Sequence, residues 1–478
     1  MSDGRWTAAA LFVLVWLSCA WFGSWERNPN HAVRMFAAMA IVEEGSATID
    51  RYEALTIDKA RFGAHFYSDK APGMTIMALP AVAVADAWTG ERGAGFTEYN
   101  DGRFDQFLKL RLRLAAATGP ALLTALAAVL IWHMALALTG SPGAALFAGA
   151  AYGLGTPAWG WSTTLFGHAP VAALLLVGFW AVWRGSRGAR LSAGHAALAG
   201  AALGWALVVE HSALLAALPI GLWALWRLRD RGAAGVRAGG AAVLGGVAAL
   251  ALLVAYNLFA FGTPFRVGYG GVQGFEGMQQ GLFGLTYPKP DVLWALLVGR
   301  FRGLLWVAPV LALAPVGFWA ALRARAGRDL WIAALAAAAV PILTNAAYVY
   351  WDGGNSSGPR HAVPALPFLA LALAPAWAWL RTEWLRALAA VLLAASVAAN
   401  LAIASAEVMA PAWIPDAMHD AVLRDRFWTG QLRTWPSEWW GWSVWSGLML
   451  WGVALAPLVI YVIVATQRLA RRAPKAIS

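Results

Sequence analysis

Apolar runs close to twenty residues long recur from one end of the chain to the other, separated by short polar breaks. A helix needs about twenty such residues, rising ~1.5 Å each, to cross the ~30 Å hydrocarbon layer of a bilayer. The pattern predicts twelve spans, near 7–25, 114–137, 143–158, 169–183, 194–210, 212–226, 238–258, 303–322, 330–350, 363–380, 387–408 and 441–466. A further apolar stretch, 74–88, is short for a crossing and carries Pro80 inside it. It reads as a helix lying in or dipping into the outer interface.

Charge placement decides that reading and the orientation together. If 74–88 does not cross, the loops carrying Arg184, Arg187 and Arg190, then Arg227, Arg229, Arg231 and Arg237, share one face with Arg5. Arg323, Arg325 and Arg328, then Arg381 and Arg386, then Arg468, Arg471, Arg472 and Lys475 fall on the same face. It holds 17 of the 36 basic residues and four of the 25 acidic ones, Asp3, Asp230, Asp329 and Glu383. An excess of Lys and Arg marks the cytoplasmic side. Both termini are therefore expected in the cytoplasm, and the chain in the cytoplasmic (inner) membrane.

The composition, 60% hydrophobic and 13% charged, excludes a soluble enzyme. The net charge of +11 sits in short membrane-flanking loops, which excludes nucleic acid as its explanation. A single cysteine, Cys19, excludes an intrachain disulfide and a cysteine-based metal site. The first apolar segment lacks a small-residue cleavage site and reads as an uncleaved span. The expected fold class is an all-α polytopic membrane protein, one transmembrane domain over 1–466 with a basic cytoplasmic tail at 467–478. Its long outer segments, 26–113, 259–302 and 409–440, with the short outer turns, hold almost all the acidic residues and six of the eight histidines. Chemistry is therefore expected on the outer face.

In the first outer segment Asn28 can cap a helix, with Pro29 at its first position and Gly45 as its stop. Met35, Ala38, Met39 and Val42 make an apolar stripe, with Asn30 and Arg34 one turn apart on another face, which predicts an amphipathic helix lying on the bilayer. Asp58 follows, then Tyr67, Ser68, Asp69 and Lys70 just before Pro72-Gly73. Such a polar cluster at membrane depth is costly unless its charges are used. His168 and the Glu210-His211 pair stand at outer helix ends and read first as packing residues. The Gly-rich loop 261–302 has no nucleotide fingerprint and ends at Arg302, which either contacts a phosphate or snorkels to headgroups. The turn Gly353 to Pro359 leads into Arg360 and His361 at a helix start, and its N–H groups and guanidinium suit a phosphate.

With these residues in view, the chain resembles the GT-C superfamily of integral membrane glycosyltransferases. The resemblance rests on Asn28 to Arg34, Glu43-Glu44-Gly45 and Tyr67 to Gly73 after a first span, and on 74–88 as a second juxtamembrane helix. The Gly358-Pro359-Arg360 turn resembles a motif of bacterial members. It implies transfer of a sugar from a polyprenyl-phosphate-linked donor to a lipid, glycan or protein acceptor on the periplasmic or exterior face, with inversion. An Asp-Glu pair familiar after the first span is absent, with Asn28 and Asn30 in the matching places. His168 stands where an acid is expected after the third span. The candidate bases are thus Asp58, Asp69 and Glu26. Lys70, Arg360 and Arg302 are the candidates for the donor phosphate, and Asn30, Arg34, Tyr67, His168 and His361 for substrate. No cofactor is implied; a divalent metal is compatible, although no ligand cluster of recognisable spacing appears. A flippase or transporter of lipid-linked saccharides would want ionisable residues along a mid-membrane path. The predicted spans have almost none. A non-catalytic partner subunit is the third reading, kept open by the missing Asp-Glu pair.

Overall fold

The computed structural model describes residues 2–472 apart from 101, 189, 273, 325 and 326. Arg325 of one basic loop, the side chain of Asp3 and the tail beyond Arg472, Lys475 included, lie outside the described residues. The chain opens with α1 (Ser2–Trp21) and α2 (Pro29–Glu44), then a hairpin of β1 (Lys59–Phe62) and β2 (His65–Ser68). It continues through α3 (Gly73–Thr89), α4 (Gly102–Thr118), α5 (Pro120–Thr139), α6 (Pro142–Leu154) and the single turn α7 (Ala158–Trp161). Then come α8 (His168–Gly185), α9 (Ala193–Val209), α10 (Ala213–Leu228), α11 (Gly232–Phe261) and α12 (Pro290–Val298). After α13 (Leu304–Val307) follow α14 (Ala314–Arg323), α15 (Arg328–Ala347), α16 (Leu366–Trp379), α17 (Glu383–Ser405), α18 (Trp435–Trp439) and α19 (Val444–Arg472).

Among the described residues eight helical runs are long and apolar enough to cross a membrane, and this is an integral membrane protein. They are α1, the 38-residue run Gly102–Thr139, α8, α11, α15, the run Arg360–Trp379, α17 and α19. The helices α3, α9, α10 and the run Pro309–Arg323 are apolar but shorter. The stretch 303–322, predicted as one span, is broken: α13 gives way to a 3-10 turn at Pro309–Leu313 before α14 begins. Proline at 309 removes a helical N–H and forces the break.

The helix α2 starts and stops where its caps predict. The Asn28 side chain accepts from the Asn30 amide, Pro29 takes the first position, and Gly45 closes the helix at φ 64°. Its environment differs from the prediction, however. Residues His31 to Ala40 are all buried, so the helix lies inside the protein rather than on the bilayer. Beyond the predicted stripe, Ala32, Val33, Phe36 and Ala37 make the helix apolar nearly all round, which demands cover on every side. Phe36 stacks on Tyr52 at 4.8 Å, α3 packs alongside, and the buried Arg111 of α4 ties down α3 through Asp86 (3.0 Å).

Two glycines allow the close approaches that build the site. A Cβ on Gly73 would lie 2.6 Å from the backbone of Val209, so the start of α3 rests directly on the end of α9. A Cβ on Gly167 would lie 2.4 Å from Cγ of Glu210. Gly73→Ala is expected to force α3 off α9 at a cost of about 1–3 kcal/mol, typical of overpacking, and so to lower the melting temperature in detergent. An unchanged melting temperature would show that the two helices can part freely.

Candidate active site

The hairpin creates the first half of the site by its register. Lys59 pairs with Ser68, so the flanking Asp58 and Asp69 stand opposite each other at the open end. Gly63, at φ 63°, turns the chain at the closed end. Lys70 Nζ lies 2.7 Å from Asp69 Oδ2 and 3.1 Å from Asp58 Oδ2. Within this trio one ammonium is shared between two carboxylates. Burial raises the pKa of Asp69 against the pull of Lys70, and the charge of Asp58 raises it further. Burial also works against the Lys70 ammonium, but Asp69 and Asp58 together outweigh it and hold that pKa above the ordinary value. Asp69 Oδ1 is buried with no partner among the described residues.

The second half comes from α2, α8 and the end of α9. Arg34 Nη1 donates to the Asn30 carbonyl (2.9 Å) and to its side chain, while Nη2 lies 3.3 Å from Glu210 Oε1. His168 Nδ1 is 3.7 Å from the other Glu210 oxygen. The His361 ring stands edge-on to His168 at 5.1 Å and to Tyr348 at 5.4 Å. The guanidinium carbons of Arg34 and Arg360 lie 5.8 and 5.1 Å from the centre of the Phe166 ring, a cation–π arrangement. Among the described residues no hydrogen bond or ion pair to Arg360 is made, and its Nε is buried without a partner.

The Gly turn forms the third wall. Gly353 and Gly354 take left-handed conformations (φ 73° and 61°), and Gly353 N–H closes onto the Tyr350 carbonyl at 3.0 Å. Ser356 and Ser357 amides donate to the carbonyls of Ala410 and Val408. Arg302 grips the turn from behind, donating to the carbonyls of Asp352 (2.9 Å) and Gly354 (2.7 Å). A Cβ at Gly353 would meet Arg360 Nε at 2.8 Å, so glycine makes room for that guanidinium. From the Gly-rich loop, Gly277 N–H donates to Tyr350 Oη (3.0 Å), and Tyr348 Oη donates to Met278 Sδ (3.2 Å).

These walls enclose a cleft of about 410 Å³. It brings together Asp58, Asp69, Lys70 and Arg360, and likewise Asn30, Arg34, His168 and His361. Four buried polar atoms on its lining residues, Arg34 Nε, Asp69 Oδ1, Arg360 Nε and His361 Nε2, have no partner among the described residues. Buried polar atoms left unpaired cost free energy, and four of them on the residues of one cleft mark a place built to receive a polar ligand.

Three predicted residues lie off the cleft. Glu26 is spent on Arg433, whose Nη1 is 2.9 Å from its Oε2. Tyr67 packs its ring against Phe62 and Phe261, at 6.1 and 4.9 Å. Arg302 is 1% exposed, with its pKa lowered to about 10 by burial, and works behind the turn. Glu210, read first as packing, lines the cleft, as do Tyr269 and Asp352. The signal for Glu210 was an acid at the outer end of an apolar run; Tyr269 and Asp352 carried none. Among the described residues no three His, Cys, Asp or Glu side chains group as a metal set.

No protein-family model matches the chain, and no curated protein matches it significantly. Solved structures do match: ArnT from Cupriavidus metallidurans bound to undecaprenyl phosphate superposes with a TM-score of 0.52. The fold is GT-C-like. Identity to that ArnT structure is 17%, over 98% of this chain and 75% of ArnT. The apo state of the same ArnT gives a TM-score of 0.50 at 16% identity, over the same shares. The resemblance to the GT-C superfamily read from the outer loop and the Gly-Pro-Arg turn is borne out in the path of the chain.

Proposed function

We propose that this protein moves a sugar from a polyprenyl-phosphate-linked donor to an acceptor on the outer face of the inner membrane, inverting the anomeric centre. The observation that carries the reading is one cleft lined both by Arg360, whose side chain makes no hydrogen bond or ion pair among the described residues, and by Asp69, whose Oδ1 has no partner among them. The undecaprenyl phosphate bound to ArnT supports a polyprenyl phosphate as the sugar's carrier. An enzyme working outside has no cytoplasmic nucleotide sugars to draw on, and a lipid-borne donor meets that need.

In this mechanism Arg360 and the amides of Gly354 and Asn355 hold the donor phosphate, with Arg34 and Lys70 adding positive field. The acceptor oxygen attacks the anomeric carbon on the side opposite the phosphate while its proton passes to Asp69 Oδ1. The carbon–oxygen bond to the phosphate breaks, its electron pair stays on the phosphate, and the guanidinium stabilises that charge. Lys70 fixes the orientation of Asp69 by holding its second oxygen. Mass spectrometry of envelope glycans and lipids from a strain lacking the gene tests the reading. The expected result is loss of one sugar modification with accumulation of a polyprenyl-phosphate sugar; an unchanged profile of both opposes it.

The reading also carries twelve spans and cytoplasmic termini, supported by the 17-to-4 charge bias. Ala64 and Asn100 flank α3 and are exposed. Ala64→Cys and Asn100→Cys are both expected to react with an impermeant thiol reagent from outside, with Cys19 buried and silent. Reaction from opposite sides would mean that α3 crosses.

A further inference from the structure

A second cleft, of about 710 Å³, opens between the start of α4, the end of α3 and α18. One wall is a single face of α4, where Arg103, Gln106, Phe107 and Leu110 recur at helical spacing. The facing wall is aromatic, made by Trp435, Trp439 and Trp440. The rings of Trp435 and Trp439 pack at 4.3 Å, tilted by 30°. Trp435 is held in place: its Nε1 donates to the Ala20 carbonyl at 2.8 Å. The buried Arg113, paired with Glu438, lies 5.6 and 5.8 Å from the two rings. The Thr434–Ser437 capping box sets the turn that carries them.

The polar and apolar groups are graded along the cleft. Glu91, Arg103 and Gln106 stand at its outer end, where α4 begins, and their side chains make no hydrogen bond or ion pair among the described residues. Phe107 and Leu110 lie further along α4 toward the apolar run of α5. Indole faces receive the C–H faces of a sugar ring, because those hydrogens are partly positive and the ring face is negative. Gln, Arg and Glu then offer donors and acceptors for its hydroxyls. An apolar end below suits a lipid chain.

We propose that this cleft binds the saccharide headgroup of a membrane-anchored glycolipid, at a place separate from the first cleft. The linker between α1 and α2 joins the two places. Asn28 lines the first cleft, Glu26 pairs with Arg433 two residues before Trp435, and Arg27 pairs with Asp105 on α4.

The test uses the full chain in nanodiscs and a dodecyl maltoside carrying a photoreactive diazirine on its sugar, with labelled peptides mapped by mass spectrometry. Labelling is expected within 88–110 and 435–440, with unlabelled dodecyl maltoside competing at least about tenfold better than dodecylphosphocholine. Trp439→Leu is expected to weaken labelling about threefold to tenfold, the scale of one aromatic contact. Gln106→Ala, at an exposed position, is expected to weaken it in the same direction and guards against misfolding of the Trp variant. Equal competition by the two detergents would identify an ordinary lipid belt and overturn the proposal. Labelling unmoved by both substitutions would also overturn it. Labelling is read without turnover, so intact labelling in a chain that transfers no sugar would refute the transferase reading and leave this site standing.

Discussion

Asp69→Asn is expected to lower turnover by about two to four orders of magnitude, the usual span of general-base effects. Asn keeps the shape and the contact with Lys70 but cannot take the acceptor's proton. Asp58→Asn is expected to cost less, about tenfold, because Asp58 shares Lys70 and acts on Asp69 through its charge. The two variants also differ in pH dependence. On the proposed mechanism Asp69 works ionised, and burial with the neighbouring Asp58 charge raises its pKa. Turnover should therefore rise with pH along an acid limb placed above the ordinary carboxylate range, and fall away below it. Removing the charge of Asp58 lowers the pKa of Asp69, so Asp58→Asn should move that limb to lower pH. A pH profile of kcat on both variants checks this. A limb that stays in place when Asp58 is neutralised would assign it to another group.

Arg360→Ala is expected to weaken donor use by about tenfold to a hundredfold, since a charge-assisted hydrogen bond is worth ~1.5–3 kcal/mol. Arg360→Lys should fall between wild type and Ala, because it keeps the charge but loses the planar fork that holds two phosphate oxygens. No ion pair to Arg360 is made among the described residues, so its removal breaks no salt bridge. Undecaprenyl phosphate affinity and melting temperature, measured on the same purified variant, separate the roles. A fall in affinity at constant melting temperature supports phosphate binding; a fall in melting temperature at constant affinity removes Arg360 from the site.

Much of the helical layout could be read from apolar periodicity, and the limits of α2 from Asn28, Pro29 and Gly45, because these signals are local. The cluster at Asp58, Asp69 and Lys70 was also legible as unusual polarity. That its two carboxylates face each other was not, since this depends on the register of two four-residue strands too short to show a period. Glu210 meets Arg34 across 176 positions. That meeting needs Gly73 and Gly167 to let backbones approach, which no single-sequence pattern reveals. Remote partners were not legible either: Glu26 pairs with Arg433, 407 positions away, and Arg302 donates to carbonyls of a turn 50 positions on. Tyr67 packs its ring toward Phe261 and does not line the cleft, a choice of partner 194 positions away that the sequence pattern does not carry.

The most direct measurement is made on purified protein in nanodiscs supplied with undecaprenyl-phosphate monosaccharides and a membrane glycolipid extract, following both lipid pools by mass spectrometry. The account predicts that the wild type consumes one donor, releases undecaprenyl phosphate and adds the matching sugar mass to an acceptor lipid, while Asp69→Asn does none of these. Equal conversion by wild type and Asp69→Asn, or no conversion of any donor by a folded wild type, would contradict it.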